Sequence, residues 1–311
     1  MPRRCTSTAH RAAVSATESM NSSGLRPVKS ERRAQMTSPR RADNEAIVLD
    51  PSQAHSGRIH DVLLGAGKDA YLVDLEAGHK LITHSRAFLV AARATRLWLL
   101  RAVRYLASEQ LVRQFVELGS GYPCSPNLHE VARNCAPTAR MVYVDHDPVV
   151  AAHGRVFLAD EQTEFVHADL SDTDALVTEI TAAMDPSEPI AVCLSFVAEF
   201  LPDPGMVVDA VTTMLPSGSF LALSHITRDA DPGPVDRAAD IYTGFGIEFR
   251  SRSRDEVAAL LAGYDLVEPG LVAPHRWWSP HDVDQRRARN LGWEPPQADD
   301  LCCRAAVGRL R

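Results

Sequence analysis

The sequence predicts an α/β fold: a doubly wound, Rossmann-like, mostly parallel sheet behind an N-terminal helical cap. Three observations predict it. Five short apolar runs follow Val112, at 114–118, 141–144, 164–166, 190–194 and 220–223. The stretches between them, 127–134, 148–158, 172–184 and 204–215, carry helix-start chemistry such as Ser171 with Asp174, or Asp203 ahead of Pro204. Finally, the runs are predominantly apolar, as in strands covered on both faces. Strands separated by helices must lie parallel, because each crossover returns the chain to the same edge.

The elements follow in order. Ahead of the sheet, residues 59–82 read as short helices broken around Gly65 and Gly67. From Ala87 to Gln110, Phe88, Ala92, Leu99, Val103 and Leu106 recur at helical spacing, with Arg93, Arg101 and Arg104 off that stripe. After the fifth run, Ser253 and Glu256 form a capping box for a helix through Ala262. Two β-like runs close the chain, Tyr264 to Val272 and Cys302 to Gly308, separated by a Trp- and Pro-rich loop. With no helix between them they are expected to pair antiparallel at the sheet edge, giving seven strands. The expected division is a disordered basic tail over 1–48, a helical cap over 49–110 and a ligand-binding α/β domain over 111–311.

Composition narrows the function. Of the 311 residues 45% are hydrophobic and 23% charged, ordinary for a soluble globular chain. No stretch approaches the roughly 18–20 apolar residues a membrane helix requires, and no apolar signal segment opens the chain. A cytoplasmic protein with no membrane partner is expected. The six cysteines form no Cys-x-x-Cys pair and read as reduced thiols, not zinc ligands. Residues 1–44 hold nine Lys or Arg against three acids, leaving 24 basic and 37 acidic residues in the remainder. That acidic remainder argues against nucleic acid as a partner. The sequence leaves room for a homodimer.

In an open α/β sheet the ligand sits beyond the carboxyl ends of the strands. The first run ends in Glu117, Leu118, Gly119, Ser120 and Gly121; the second in Asp145, His146 and Asp147; the third in Asp169 and Leu170; the fourth in Ser195. A pyrophosphate would want backbone N–H donors at this turn, yet Pro123 and Pro126 have none and position 124 is not glycine. A carboxylate at Glu117 would also repel it. S-adenosylmethionine instead brings an ammonium, a sulfonium, ribose hydroxyls and an adenine amine, all suited to carboxylates. Asp145 would take ribose hydroxyls of either NAD or S-adenosylmethionine, whereas Asp169 suits the adenine amine better. Gly119 and Gly121 would let the backbone approach the methionine portion. The methyl donor is therefore preferred to a nicotinamide cofactor.

The strings DVLLGAGKDAYLVD, RQFVELGSGYPCSPNLHEVA, MVYVDHDPVVAAHGRVFLA, LSHITRD and LVEPGLV resemble the S-adenosyl methyltransferase family found mainly in actinobacteria, formerly a domain of unknown function. The resemblance covers about residues 56–275. It implies a class I methyltransferase fold, with the seventh strand inserted antiparallel beside the sixth. It implies no particular substrate. Three positions depart from the family pattern: Ala70 follows Lys68 and Asp69 in place of Asn, Ala198-Glu199-Phe200 replaces Leu-His-Phe, and Thr95 precedes Arg96 where the family carries Asn.

Tyr71, Arg93, Arg96, Glu199 and His225 are the acceptor-side candidates. Glu199 and His225, near strand ends, would serve as base for a hydroxyl or ammonium acceptor. Arg93 and Arg96 would hold an acceptor carboxylate or phosphate, solvated helix charges being the commoner outcome. HEVAR at His129 lacks the second histidine of a zinc motif, and GAGKD at Gly65 lacks the full phosphate-loop pattern, so it reads as a helix break able to serve as a lid. The expectation is a small-molecule methyltransferase with no metal. A non-catalytic S-adenosylmethionine-binding regulator is the alternative, and a nicotinamide-dependent oxidoreductase a more distant one.

Overall fold

Helix formation begins at Ser56, where Nδ1 of His55 accepts from the Gly57 amide at 3.1 Å. In this computed structural model, which describes residues 50–277, 288–289, 292–293 and 301–311, the expected basic tail lies outside the described residues. Helix α1 (Ser56–Leu64) stops at Gly65, whose φ of 89° is left-handed, and Gly67 (φ 60°) continues the break. Helix α2 (Leu72–His84) starts from a capping box in which the Asp74 carboxylate accepts from the Tyr71 amide. Helix α3 (Arg86–Ser108) buries Phe88, Ala92, Leu99, Val103 and Leu106, the stripe expected from spacing. Arg101 corrects that reading. It is buried, and its guanidinium donates to the carbonyls of Trp277 and Pro274, because a short helical turn at 274–276 covers that side of α3.

The sheet then builds as β1 (Gln114–Leu118), α4 (Leu128–Cys135), β2 (Arg140–Asp145), α5 (Pro148–Phe157), β3 (Thr163–His167), α6 (Thr173–Ala183), β4 (Ile190–Ser195), α7 (Pro204–Met214) and β5 (Phe220–Ile226). Strand order is β3-β2-β1-β4-β5, all parallel, continued by the last two strands. Because β1 pairs with both β2 and β4, the order reverses beside it, and a crevice opens beyond its carboxyl end.

One face packs Val116, Val142 and Val192 under Leu176, Ile180 and Val211 of α6 and α7. The other packs Phe115, Tyr143 and Cys193 under Trp98, Leu106, Leu128 and Val131 of α3 and α4. Trp277 is fully buried edge-on to Trp98 and Tyr105, so the late aromatic segment packs on α3 as far as it is described.

The end of the chain departs from expectation in three places. Helix α8 (Pro232–Gly244), started by Asp231 ahead of Pro232, went unread in the sequence. Helix α9 (Arg254–Ala259) has the Ser253–Glu256 box but ends before Ala262. The run from Tyr264 yields a short β6 (Tyr264–Leu266), because Pro269 has no N–H and Gly270 turns the chain at φ 82°; beyond β6 the Val267 amide donates to the Val307 carbonyl and Val272 bridges to Ala305. Strand β7 (Cys303–Leu310) lies antiparallel between β5 and β6, giving seven strands in the order β3-β2-β1-β4-β5-β7-β6. Among the described residues no helix is long and apolar enough to cross a membrane.

Candidate functional site

The reversal beside β1 sets the location, and the glycine turn sets the shape. Gly119 and Ser120 both donate to the carbonyl of Val144, at 2.8 and 3.0 Å, which bends the chain over the end of β2. Gly119 has φ 67°, and a methyl group there would lie 2.6 Å from the Val197 side chain, so only glycine fits. Gly121 has φ 63°, but nothing lies within 4 Å of the place a methyl group would occupy. The turn is tight at one glycine and open at the other.

Carboxylates gather around it. Asp145 accepts from the Gly121 amide at 2.8 Å through one oxygen and from the Asp147 amide at 2.9 Å through the other. It fastens the turn and still keeps a lone pair on each oxygen. Glu117 is buried, with one oxygen 3.7 Å from the Arg96 guanidinium. Burial, with the charge of Asp145 adding and that of Arg96 opposing, pushes its carboxyl up to about 7. Asp169 accepts from the Ser171 amide at 2.8 Å, and Ser195 shares a 3.0 Å hydrogen bond with Ser224.

These residues line a cavity of about 300 Å³. All nine residues expected to hold a donor border it: Glu117, Gly119, Ser120, Gly121, Asp145, His146, Asp169, Leu170 and Ser195. The acceptor-side candidates divide differently. Arg96 borders the cavity, but its guanidinium donates to the carbonyls of Cys124 and Pro126, at 2.7 and 2.9 Å, and pairs with Glu117. It clamps the loop after the glycine turn, and its side chain is largely withdrawn from solvent. Arg93 donates to the Leu63 carbonyl at 2.9 Å and lies over the Trp293 ring, and Tyr71 lies under the Arg58 guanidinium; neither borders the cavity.

Glu199 and His225 are also away from it. Glu199 follows β4 in a short helical turn, is buried, and accepts from the Ile226 amide at 2.6 Å. His225 is fully buried between the Ile226 carbonyl and the Arg252 guanidinium. The chain bends after Ser195 at Phe196, whose φ of 58° is left-handed, and this turns Phe196 and Phe200 toward the cavity and Glu199 away from it.

The sequence reading missed the contribution of α1. His55, Ser56, Gly57, His60, Asp61 and Leu64 border the cavity, so this helix closes it from the side opposite the sheet. At its start a methyl group on Gly57 would approach the Gly121 backbone at 3.8 Å, and the His55 ring lies 5.2 Å from that of His146. One turn on, the His60 ring lies 4.6 Å from that of Phe196. The expected lid at Gly65 is thus one helix earlier. Its only sequence sign was the pair of glycines that end it.

Four buried side-chain atoms with no hydrogen-bond partner belong to residues bordering this one cavity: His55 Nε2, His60 Nδ1, Asp61 Oδ2 and Ser120 Oγ. A fifth, Asp147 Oδ2, faces His55 and Arg58 at 3.7 and 3.6 Å. Orphaned polar atoms are few in native proteins, and their concentration here marks a place built to be completed by a ligand. Among the described residues no group of three or more His, Cys, Asp or Glu is placed to hold a metal ion.

Known proteins agree with this architecture. The model of one family, described as S-adenosyl methyltransferase, matches residues 42–310. The chain belongs to the S-adenosyl methyltransferase family. A solved DUF574 family protein from Streptomyces avermitilis is 36% identical, over 84% of this methyltransferase and 99% of that chain, with a TM-score of 0.75. A candidate methyltransferase from Thermobifida fusca is 31% identical, over 84% and 96% of the two chains, also with a TM-score of 0.75. No curated protein matches this methyltransferase. The fold is the class I methyltransferase fold and the cofactor is S-adenosylmethionine. The site's chemistry fits that donor, since a buried carboxylate and two strand-end acids border the cavity, and Arg96, among the described residues lining it, is paired with Glu117.

Proposed function

We propose that this methyltransferase acts on a small molecule held in the same cavity as its donor, and that the strand-end residues hold the donor. The donor supplies an electrophilic methyl group on a cationic sulfur. Glu117 and the glycine turn would receive its ammonium end, Asp145 and His146 its ribose, and Asp169, Leu170 and Ser195 the remainder of the nucleoside. Helix α1 would exclude water and hold the two reactants in line, an arrangement worth up to about 7–11 kcal/mol of barrier.

The observation that carries this reading is the convergence of three strand-end carboxylates and four unpartnered buried polar atoms on one cavity of about 300 Å³, beneath a helix that would shut out a large polymer. Two departures from the family pattern, Ala70 and Glu199, favour the non-catalytic S-adenosylmethionine-binding alternative, yet neither borders the cavity. This removes their support for a purely regulatory role. The cytoplasm suits the protein, because Cys193, Cys302 and Cys303 are free and buried and would stay reduced there.

Titration calorimetry should give binding of S-adenosylmethionine and none of NAD; NAD binding alone would end the proposal. Formation of S-adenosylhomocysteine should depend on the low-molecular-mass filtrate of a cell extract. Activity confined to the macromolecular retentate would overturn the small-molecule part.

A further inference from the structure

Helix α1 borders the cavity at two separate places. His55 and Gly57 lie over His146 and Gly121, the donor side by the reading above, on which this inference rests. His60 and Asp61 lie one turn further along, with His60 against Phe196 beyond the end of β4. Asp61 is only 4% exposed, borders the cavity, and its Oδ2 has no partner. His60 Nδ1 is likewise buried without a partner. Phe196 and Phe200 make the neighbouring wall, and Phe196 is held at a left-handed φ of 58°, a strained conformation for a residue with a Cβ. Such strain persists where the surroundings impose it, here the Ser224 hydroxyl on the Phe196 amide and the rings of Phe88 and His60.

We infer that Asp61 and His60, against the Phe196–Phe200 wall, form the acceptor subsite, that Asp61 Oδ2 is the base, and that the acceptor is a ring-sized or similarly apolar molecule with an N–H or O–H nucleophile and no net negative charge. The apolar body follows from the two phenyl rings. The protic nucleophile follows from the orphaned carboxylate oxygen, which accepts and cannot donate when ionised. The charge follows from the lining: among the described residues bordering the cavity Glu117, Asp61, Asp145 and Asp169 are acids, while Arg96 donates to two carbonyls and lies 3.7 Å from Glu117.

In the step itself, the acceptor's lone pair bonds to the methyl carbon as the carbon–sulfur bond breaks with its electrons staying on sulfur. The acceptor's proton passes to Asp61 and then to water. The ionisation of the subsite agrees with this role. Burial and the nearby Asp69 push Asp61 up to about 6 against the opposing Gly67 amide and Lys68, so it is ionised at neutral pH and still basic enough to accept a proton. Burial and Arg96 lower His60 to about 4, so it stays neutral and adds no charge that would attract an acid.

The test uses benzylamine and benzoate as matched probes, titrated at pH 7.5 into the full-length protein saturated with S-adenosylhomocysteine, with binding followed by ligand-observed NMR. Benzylamine should bind at least about tenfold more tightly than benzoate, the discrimination expected of one charge-assisted hydrogen bond. Asp61→Asn should remove the part of that preference supplied by its own hydrogen bond, weakening benzylamine about tenfold, while changing S-adenosylhomocysteine affinity less than about twofold, which also shows that the variant is folded. His60→Ala should weaken both probes and keep the preference. Equal or tighter binding of benzoate, absence of benzylamine binding, or an Asp61→Asn variant that loses S-adenosylhomocysteine to the same degree would overturn the inference. Failure of the wild type to bind S-adenosylhomocysteine would instead sink the underlying reading of the site.

Discussion

Glu117 offers the most direct quantitative test of the donor site. Its carboxyl lies at about 7 because burial and Asp145 disfavour the ionised form more than Arg96 favours it. An ammonium arriving beside it would favour the ionised form and draw it back toward the ordinary carboxylate range, so binding must release a proton wherever Glu117 is protonated beforehand. With a value of about 7 for the free protein, the fraction already ionised is roughly one in eleven at pH 6.0 and three in four at pH 7.5. Affinity should therefore fall about eightfold between pH 7.5 and 6.0. The ligand's own α-amino group, ordinarily near 7.7–8.0, takes back part of this, leaving a net loss of about five- to sixfold. Glu117→Gln removes both the carboxylate and its titration. It should weaken binding at pH 7.5 by roughly ten- to a hundredfold, the loss of one charge-assisted hydrogen bond, and leave little dependence on pH in this window beyond that of the ligand. Titration calorimetry in buffers of different ionisation enthalpy measures affinity and proton release together. A wild-type affinity flat from pH 6.0 to 7.5 with no proton released, or a Glu117→Gln variant binding within twofold of wild type, would refute the reasoning.

Further predictions follow from the same geometry. Because the folded-state value of Glu117 lies above its ordinary 4.5, its cost to stability is absent at low pH and grows as pH climbs from about 4.5 to about 7. Glu117→Gln should thus stabilise the ligand-free protein at pH 8, by on the order of 3 kcal/mol in denaturant unfolding, and give no such gain at pH 4.5. Gly119→Ala should lower both stability and donor affinity, since the methyl group meets Val197 at 2.6 Å. Gly121→Ala should cost only about 1 kcal/mol of backbone strain yet lose donor affinity about tenfold or more, because its methyl group enters the open cavity; thermal unfolding and calorimetry on the pair separate the two effects. Arg96→Met should destabilise by about 3 kcal/mol through two lost carbonyl partners and move the pH midpoint of donor binding above 7, since the charge that holds Glu117 down is gone.

The candidate site was legible in the sequence wherever function and strand ends coincide. A residue at or just past the end of an apolar run lies at the carboxyl edge of the sheet whatever the packing, so Glu117, Asp145, Asp169 and Ser195 could be named from position alone, and all four border the cavity. Glu199 and His225 failed for a definable reason. Both are near strand ends by count, but the left-handed turn at Phe196 and the hydrogen bonds of the β5 end point their side chains into the protein. Arg96 read as a surface charge because periodicity places a residue on a helix face without saying what lies against that face; the loop after Gly121 lies there.

What the sequence determined by itself was the alternation of strand and helix, the helix caps, the glycine turn and the acids after the strands, because these depend on neighbours within a few residues. What only the tertiary structure decided was the closure of the site. Which side of α1 meets the sheet edge, and hence that His55, His60 and Asp61 face the same cavity as Glu117, depends on contacts between segments some fifty residues and more apart. Local periodicity carries no record of them.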